Sequence, residues 1–134
     1  MALAGYSGTP LAKKLSLKPG LRAWFHAIPE TVRVELANSG VEELPGPIKG
    51  LDVAHIFTAE RAELAHLLAE LRHTIDPNGF IWASWPKKAS KVPTDITEDT
   101  IREICLPLGF VDVKVCAVDQ TWSALKLMIR RELR

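Results

Sequence analysis

Apolar and polar residues recur along this chain with changing periods, and each change marks an element. Residues 51–57 (Leu-Asp-Val-Ala-His-Ile-Phe) are almost continuously apolar. From 60 to 75 the period becomes helical: Leu64, Leu67, Leu68, Leu71 and Ile75 share one face, and Glu63, His66, Glu70 and His73 the other. Thr58 is placed to cap this helix, with Glu60 complementing its dipole. Asp76-Pro77-Asn78-Gly79 reads as a turn. Residues 80–85 (Phe-Ile-Trp-Ala-Ser-Trp) are again apolar without alternation, as in a strand covered on both faces. Strand, helix and strand in this order predict a right-handed βαβ crossover with parallel strands. The unit 51–88 organises the rest of the chain, and its last strand runs directly into Pro86-Lys87-Lys88.

The pattern after this unit is equally periodic. Following a polar loop, Thr97 is a helix cap with Glu98 and Asp99 in the first turn, and Ile96 and Ile101 have the spacing of a hydrophobic staple. Ile101, Ile104, Cys105 and Leu108 form the buried stripe, and Pro107 and Gly109 end the helix. Val111, Val113, Val115 and Ala117 then alternate with Asp112, Lys114 and Cys116; Leu125, Leu127 and Ile129 alternate with Lys126, Met128 and Arg130. Two alternating runs joined by a short polar loop predict a terminal antiparallel hairpin. Residues 97–131 thus form a helix plus hairpin.

The front of the chain is less regular. Residues 1–20 read as an N-terminal arm and a short helix, with Thr9 as cap, Pro10 at the first helical position, and Leu11 and Leu15 on one face. The arm is placed either to fold over a cleft or to fray as a terminus. Residues 21–27 are a strand closed by Ile28-Pro29, residues 30–36 a short helix stopped by Asn38-Ser39-Gly40, and residues 41–44 a short edge strand.

Composition changes this picture little. A chain of 134 residues with 47% hydrophobic and 25% charged residues is one ordinary globular domain. Seventeen basic against sixteen acidic side chains leave no global field to attract nucleic acid or a membrane surface. No apolar run reaches the roughly 18 residues of a membrane span, and Met1-Ala2-Leu3-Ala4 is too short for a signal peptide. Cys105 and Cys116 form no CxxC pair and read as reduced structural thiols of a cytoplasmic protein. His66 and His73 lie seven apart on one helix, so no metal site is expected.

Parallel strands with crossover helices, ending in a helix and a hairpin, resemble the class I methyltransferase fold, best over residues 51–131. Pro77-Asn78-Gly79 before Phe80-Ile81-Trp82 resembles that family's turn before its fifth strand, and Leu108-Gly109-Phe110 its entry to the sixth. More closely, the chain resembles domain-of-unknown-function family 3052, small bacterial proteins. The matching phrases are Gly5-Tyr6-Ser7-Gly8-Thr9-Pro10-Leu11-Ala12-Lys13-Lys14-Leu15, Ser84-Trp85-Pro86-Lys87-Lys88, Thr94-Asp95-Ile96-Thr97-Glu98 and Val111-Asp112-Val113-Lys114-Val115-Cys116-Ala117-Val118-Asp119. The resemblance implies a single-domain, three-layer Rossmann-like α/β fold. Its mostly parallel, twisted sheet has about six strands and a C-terminal antiparallel hairpin, in a truncated methyltransferase-like topology.

The resemblance also implies S-adenosylmethionine, and here the chain departs from the pattern. Such enzymes need a glycine-rich turn after the first strand, so that the backbone can approach the cofactor, and an acidic residue ending the second. This chain has His26-Ala27-Ile28-Pro29-Glu30, with no glycine between Gly20 and Gly40; Glu42 or Glu43 offers the acid. No cofactor is expected, and a non-catalytic module binding a small anion or a protein partner is favoured over a small-molecule enzyme, including an atypical methyltransferase.

In open α/β sheets ligands sit beyond the carboxyl ends of the strands. That edge is expected to collect His26, Thr58, Ser84, Trp85, Lys87 and Lys88, and the hairpin loop with Asp119, Thr121 and Trp122. The lysines would hold an anion, Ser84 and Thr121 would donate hydrogen bonds, and Trp85 and Trp122 would stack on a planar ligand. The plainer alternative has Pro86 ending the strand, solvated lysines, and tryptophans packed against the N-terminal helix. His26 and His55 end strands at a switch point, as a base or donor would. Ser7, Ser84 and Ser123 lack a strained G-x-S-x-G turn, so no nucleophile is apparent. The exposed edges near 41 and at 111–117 are the places where another chain could pair, with Asp112 and Lys114 guarding the latter; the oligomeric state stays open.

Overall fold

Prolines and glycines set many of the boundaries in the computed structural model, which describes residues 9–134. The expected arm falls mostly on residues 1–8, outside the described residues. Helix α1, Leu11–Lys14, starts from Pro10 as its cap, one residue later than the expected Thr9. Strand β1, Arg22–His26, gives way to α2, Glu30–Leu36, through a turn in which Ala27 takes a left-handed φ of 53°. The two-residue strand β2, Glu42–Glu43, follows. Then come β3 (Leu51–Phe57), α3 (Arg61–Thr74) and β4 (Ile75–Pro86). Helix α4, Glu98–Cys105, and the hairpin β5 (Phe110–Ala117) and β6 (Trp122–Ile129) complete the fold.

The six strands form one sheet in the order β2-β1-β3-β4-β6-β5. β2, β1, β3 and β4 are parallel, while β6 runs antiparallel to both β4 and β5. The expected crossover and hairpin are therefore both present. The core splits in two across the sheet. On one face Ile81, Ala83, Trp85, Ala54 and Ile56 meet the apolar stripes of α3 and α4. On the other, Val53, Phe57 and Trp82 meet Leu11, Leu15, Val32 and Leu36. Trp82 fixes the α1 side by donating Nε1–H to the Leu15 carbonyl at 2.9 Å.

Four local expectations are corrected. Thr58 does not cap α3. The cap position is Glu60, without a side-chain bond, and Thr58 Oγ1 instead accepts from the Glu60 amide at 3.2 Å, in the turn before the helix. The helix stops at Thr74, because Ile75 already pairs with Leu51 as the first residue of β4. The supposed turn 76–79 is an irregularity within β4: Asp76 Oδ1 accepts from the Asn78 amide at 2.8 Å while the register jumps from Leu51/Ile75 to Val53/Phe80. Gly79 is required there, since a Cβ would lie 2.5 Å from the Asp52 carbonyl oxygen. Finally, the valines of β5 do not share one face, because the bulge sets Val111 opposite Met128 and Val115 opposite Leu125, on opposite sides of the sheet. Val113 and Val115 remain about half exposed, at 48% and 49%, on an outermost strand bulged between Asp112 and Lys114.

Helix α4 follows its sequence signals. Thr97 and Thr100 form a reciprocal capping box, with Thr97 Oγ1 accepting from the Thr100 amide and Thr100 Oγ1 from the Thr97 amide. Arg102 binds Glu98, Asp99 and Asp112 together, tying the helix to β5. Its guanidinium holds the Asp112 carboxyl below the usual range.

Candidate functional site

The carboxyl edge of the parallel strands is built from the ends of β3 and β4 and the hairpin loop. Because β6 is antiparallel, the loop between β5 and β6 returns to the end of β4, where Pro86 pairs with Trp122 and the Lys87 amide donates to the Thr121 carbonyl at 2.7 Å. The Thr58 amide donates to the Ser84 carbonyl at 3.2 Å, so β3 and β4 stay joined to their tips. Thr58, Ser84, Lys87, Thr121 and Trp122 are thereby brought to one edge.

Beneath that edge lies a buried polar pair. His55 Nε2 is 2.6 Å from Ser84 Oγ, and both residues are 1% exposed. The imidazole stacks on Phe57 at 4.3 Å, and Phe57 meets the Trp122 ring edge-on at 5.2 Å. Its Nδ1 has no partner among the described residues. Burial pushes the His55 pKa down to about 3, so the ring is neutral at neutral pH and a weak base.

Other expected members do not converge. Strand alternation sends Trp85 into the core under α3 and α4, whereas Trp122 packs on the opposite face. The two rings therefore do not sandwich one ligand. His26 likewise lies with Trp24, 5.6 Å between ring centroids, and its Nε2 is 3.5 Å from Glu63 Oε2 on α3, away from His55. Asp119 is engaged by its own loop, its Oδ1 accepting from the Thr121 and Trp122 amides at 2.8 and 2.7 Å. Lys88 is exposed and Lys87 half-buried, and neither forms an ion pair among the described residues.

The other end of the edge, between β1 and β2, was only partly legible. Glu43, one of the two candidate acids, is held bidentately by Arg33 of α2, at 2.7 and 3.0 Å. The Arg33 guanidinium also sits 6.0 Å from the Phe25 ring centroid. A cavity of about 210 Å³ lies at this pair, bordered by Phe25, Ile28, Leu36 and Val41. Arg33 gave no sequence signal beyond being a basic residue on a short helix.

No group of His, Cys, Asp and Glu suited to a metal occurs among the described residues. Cys105 is buried, its thiol pushed up to about 11, and the half-buried Cys116 thiol is also raised. Neither is an activated nucleophile. No described helix is long and apolar enough to cross a membrane.

No family profile and no curated protein matches the chain. Solved structures do match its fold. A SAM-dependent methyltransferase from Aquifex aeolicus is 17% identical, with a TM-score of 0.62 over 89% of each chain. Fibrillarin from Aeropyrum pernix, solved with S-adenosyl-L-methionine natively bound, is 13% identical, with a TM-score of 0.56 over 92% of this chain and 70% of its own. The fibrillarin pre-rRNA processing protein of Methanococcus jannaschii is 12% identical, with a TM-score of 0.56 over 90% and 69%. At these identities the likeness establishes the fold: this chain has a Rossmann-like, methyltransferase-like α/β scaffold.

Proposed function

We propose that this chain is a non-catalytic binding module on a methyltransferase-like scaffold, taking a small anion at the exit of β4. The observation that carries this reading is the bidentate bond from Arg33 to Glu43. It uses internally Glu43, one of the two carboxylates, with Glu42, that could be offered to a ribose at the end of β2. The turn after β1 points the same way: Ala27, Ile28 and Pro29 stand where a cofactor would need glycines, and Ala27 already carries a left-handed φ of 53°. The residues present do not fit S-adenosylmethionine in the usual pose.

For the anion, Lys87 and Lys88 supply charge beyond a buried strand, beside Thr58 and Thr121. Trp122, with Ser84 and His55 beneath it, supports the edge; Asp119 shapes the loop, and Trp85 and His26 are peripheral to it. The alternative, a small-molecule enzyme or an atypical methyltransferase, draws on the His55–Ser84 pair. A histidine held near a pKa of about 3 is a poor general base, which favours binding over catalysis. The phrases shared with domain-of-unknown-function family 3052 support membership of that bacterial family, and two free thiols support a cytoplasmic setting.

A thermal-shift panel of S-adenosylmethionine, nucleotides and phosphorylated metabolites tests this directly, because a ligand selective for the folded state raises its apparent stability. A phosphorylated compound is expected to stabilise the protein, and Lys87→Ala to weaken it roughly tenfold, as for the loss of one charge-assisted bond. Stabilisation by S-adenosylmethionine, or an unchanged affinity in Lys87→Ala, would overturn the reading.

A further inference from the structure

The amino ends of the parallel strands carry a second cavity, of about 360 Å³, on the sheet edge opposite Lys87 and Lys88. Its volume falls within the lower range of small-molecule sites. Ile75, Ile129 and Leu133 give it apolar walls. Lys49 and Arg72 give it positive charge, and neither makes an ion pair among the described residues. Arg72 is held in place through Nε, which donates to the Leu108 carbonyl at 2.9 Å, leaving its terminal nitrogens without a partner among the described residues.

Thr74, at the end of α3, also lines this cavity, and its buried Oγ1 has no hydrogen-bond partner among the described residues. An unpaired buried hydroxyl is costly and rare. Two groups oppose an anion here: Asp76, and the C-terminus of α3 with its partial charge of about half a unit. Asp76 already accepts from the Asn78 amide, and the Thr74 carbonyl accepts from the Gly50 amide at 2.9 Å. Asp76 nonetheless keeps its full charge, so with the helix end about 1.5 negative units face two positive ones and the lining stays net positive.

We infer that this cavity binds a small carboxylate with an aryl or branched-alkyl body. The carboxylate pairs with Arg72 and Lys49, while the body rests on Ile75, Ile129 and Leu133. Charge alone would hold acetate as well, and apolar walls alone would hold a neutral amide. The combination selects for both parts of the ligand.

Amide NMR of the labelled full chain, titrated separately with phenylacetate, acetate and phenylacetamide, tests this. Phenylacetate should give saturable shifts at Gly50, Thr74 and Asp76, with at least fivefold weaker responses to the other two. Lys49→Ala, an exposed position, should weaken phenylacetate roughly tenfold. Arg72→Lys, which keeps the charge but loses the forked terminal nitrogens, should weaken phenylacetate as well. No saturable shift, equal response to acetate, unchanged affinity in both variants, or shifts confined to Lys87 and Thr121 would each overturn the assignment.

Discussion

His55 Nε2 lies 2.6 Å from Ser84 Oγ, joining neighbouring parallel strands inside the core. Burial lowers the folded-state pKa of this histidine from 6.5 to about 3, so the fold favours the neutral ring. The unfolded chain takes up the proton first as pH falls. Stability is therefore fully present above about pH 6.5 and declines below it, with a slope approaching roughly 1.4 kcal/mol per pH unit until the folded pKa is reached. Asp112, held low by Arg102, acts in the same direction only below its ordinary value near 3.8. Urea midpoints measured between pH 6 and pH 4 should fall steeply in the native chain and less steeply in His55→Gln. Parallel profiles would show that His55 is not buried in its neutral form.

Gly79 is held by contact rather than by φ. A Cβ there would approach the Asp52 carbonyl oxygen to 2.5 Å and the Asp76 carbonyl oxygen to 3.1 Å, and neither backbone can swing aside as a side chain would. Gly79→Ala should cost about 2 kcal/mol or more by overpacking the junction of β3 and β4. Denaturant unfolding measures it, and a loss under about 0.5 kcal/mol, the usual size of a surface effect, would show that the irregularity opens freely.

Much of this scaffold was legible because its signals are local. Pro29 and Asn38-Ser39-Gly40 bracket α2, and its observed span, Glu30–Leu36, is the one they predict. The stripe of α3 and the Thr97 cap of α4 are likewise encoded within a few residues, although the reciprocal bond from Thr100 was not read there. The His55–Ser84 pair is different, because it depends on register. The irregularity at 76–79 sets which residue of β4 faces His55, and periodicity does not encode it. The same limit applies to Trp85 and Trp122. Both lie where β4 ends and β6 begins, but the parity that separates them follows from the pairing of Pro86 with Trp122. Alternation in β5 suggested one valine face, but it could not encode the bulge between Asp112 and Lys114 that turns Val111 and Val115 to opposite sides.

Asp119 organises the hairpin loop. Its Oδ1 accepts from two successive amides, Thr121 and Trp122, while the Lys87 amide reaches the Thr121 carbonyl. Asp119→Ala should cost about 1 kcal/mol or more by leaving those amides unpaired. Asp119→Asn keeps an acceptor oxygen and should recover most of the loss. Should both variants lose stability equally, the negative charge rather than the accepted bonds would be what holds the loop.

On the proposed reading two features stand against a methyltransferase's cofactor, and the Arg33–Glu43 pair allows them to be separated. If the ion pair alone blocked the site, Arg33→Ala would release Glu43 and restore an acid at the end of β2. On the proposed reading the turn through Ala27, Ile28 and Pro29 would remain unsuited, because it has no glycine and Pro29 caps α2. Being partly exposed, at 41% and 42%, the pair itself should contribute little, about 1 kcal/mol or less. Arg33→Ala should therefore fold almost as stably as the native chain and still show no melting-temperature shift with S-adenosylmethionine. A shift in that variant but not in the native chain would make the salt bridge the sole barrier, and the turn would then accept the cofactor without glycine.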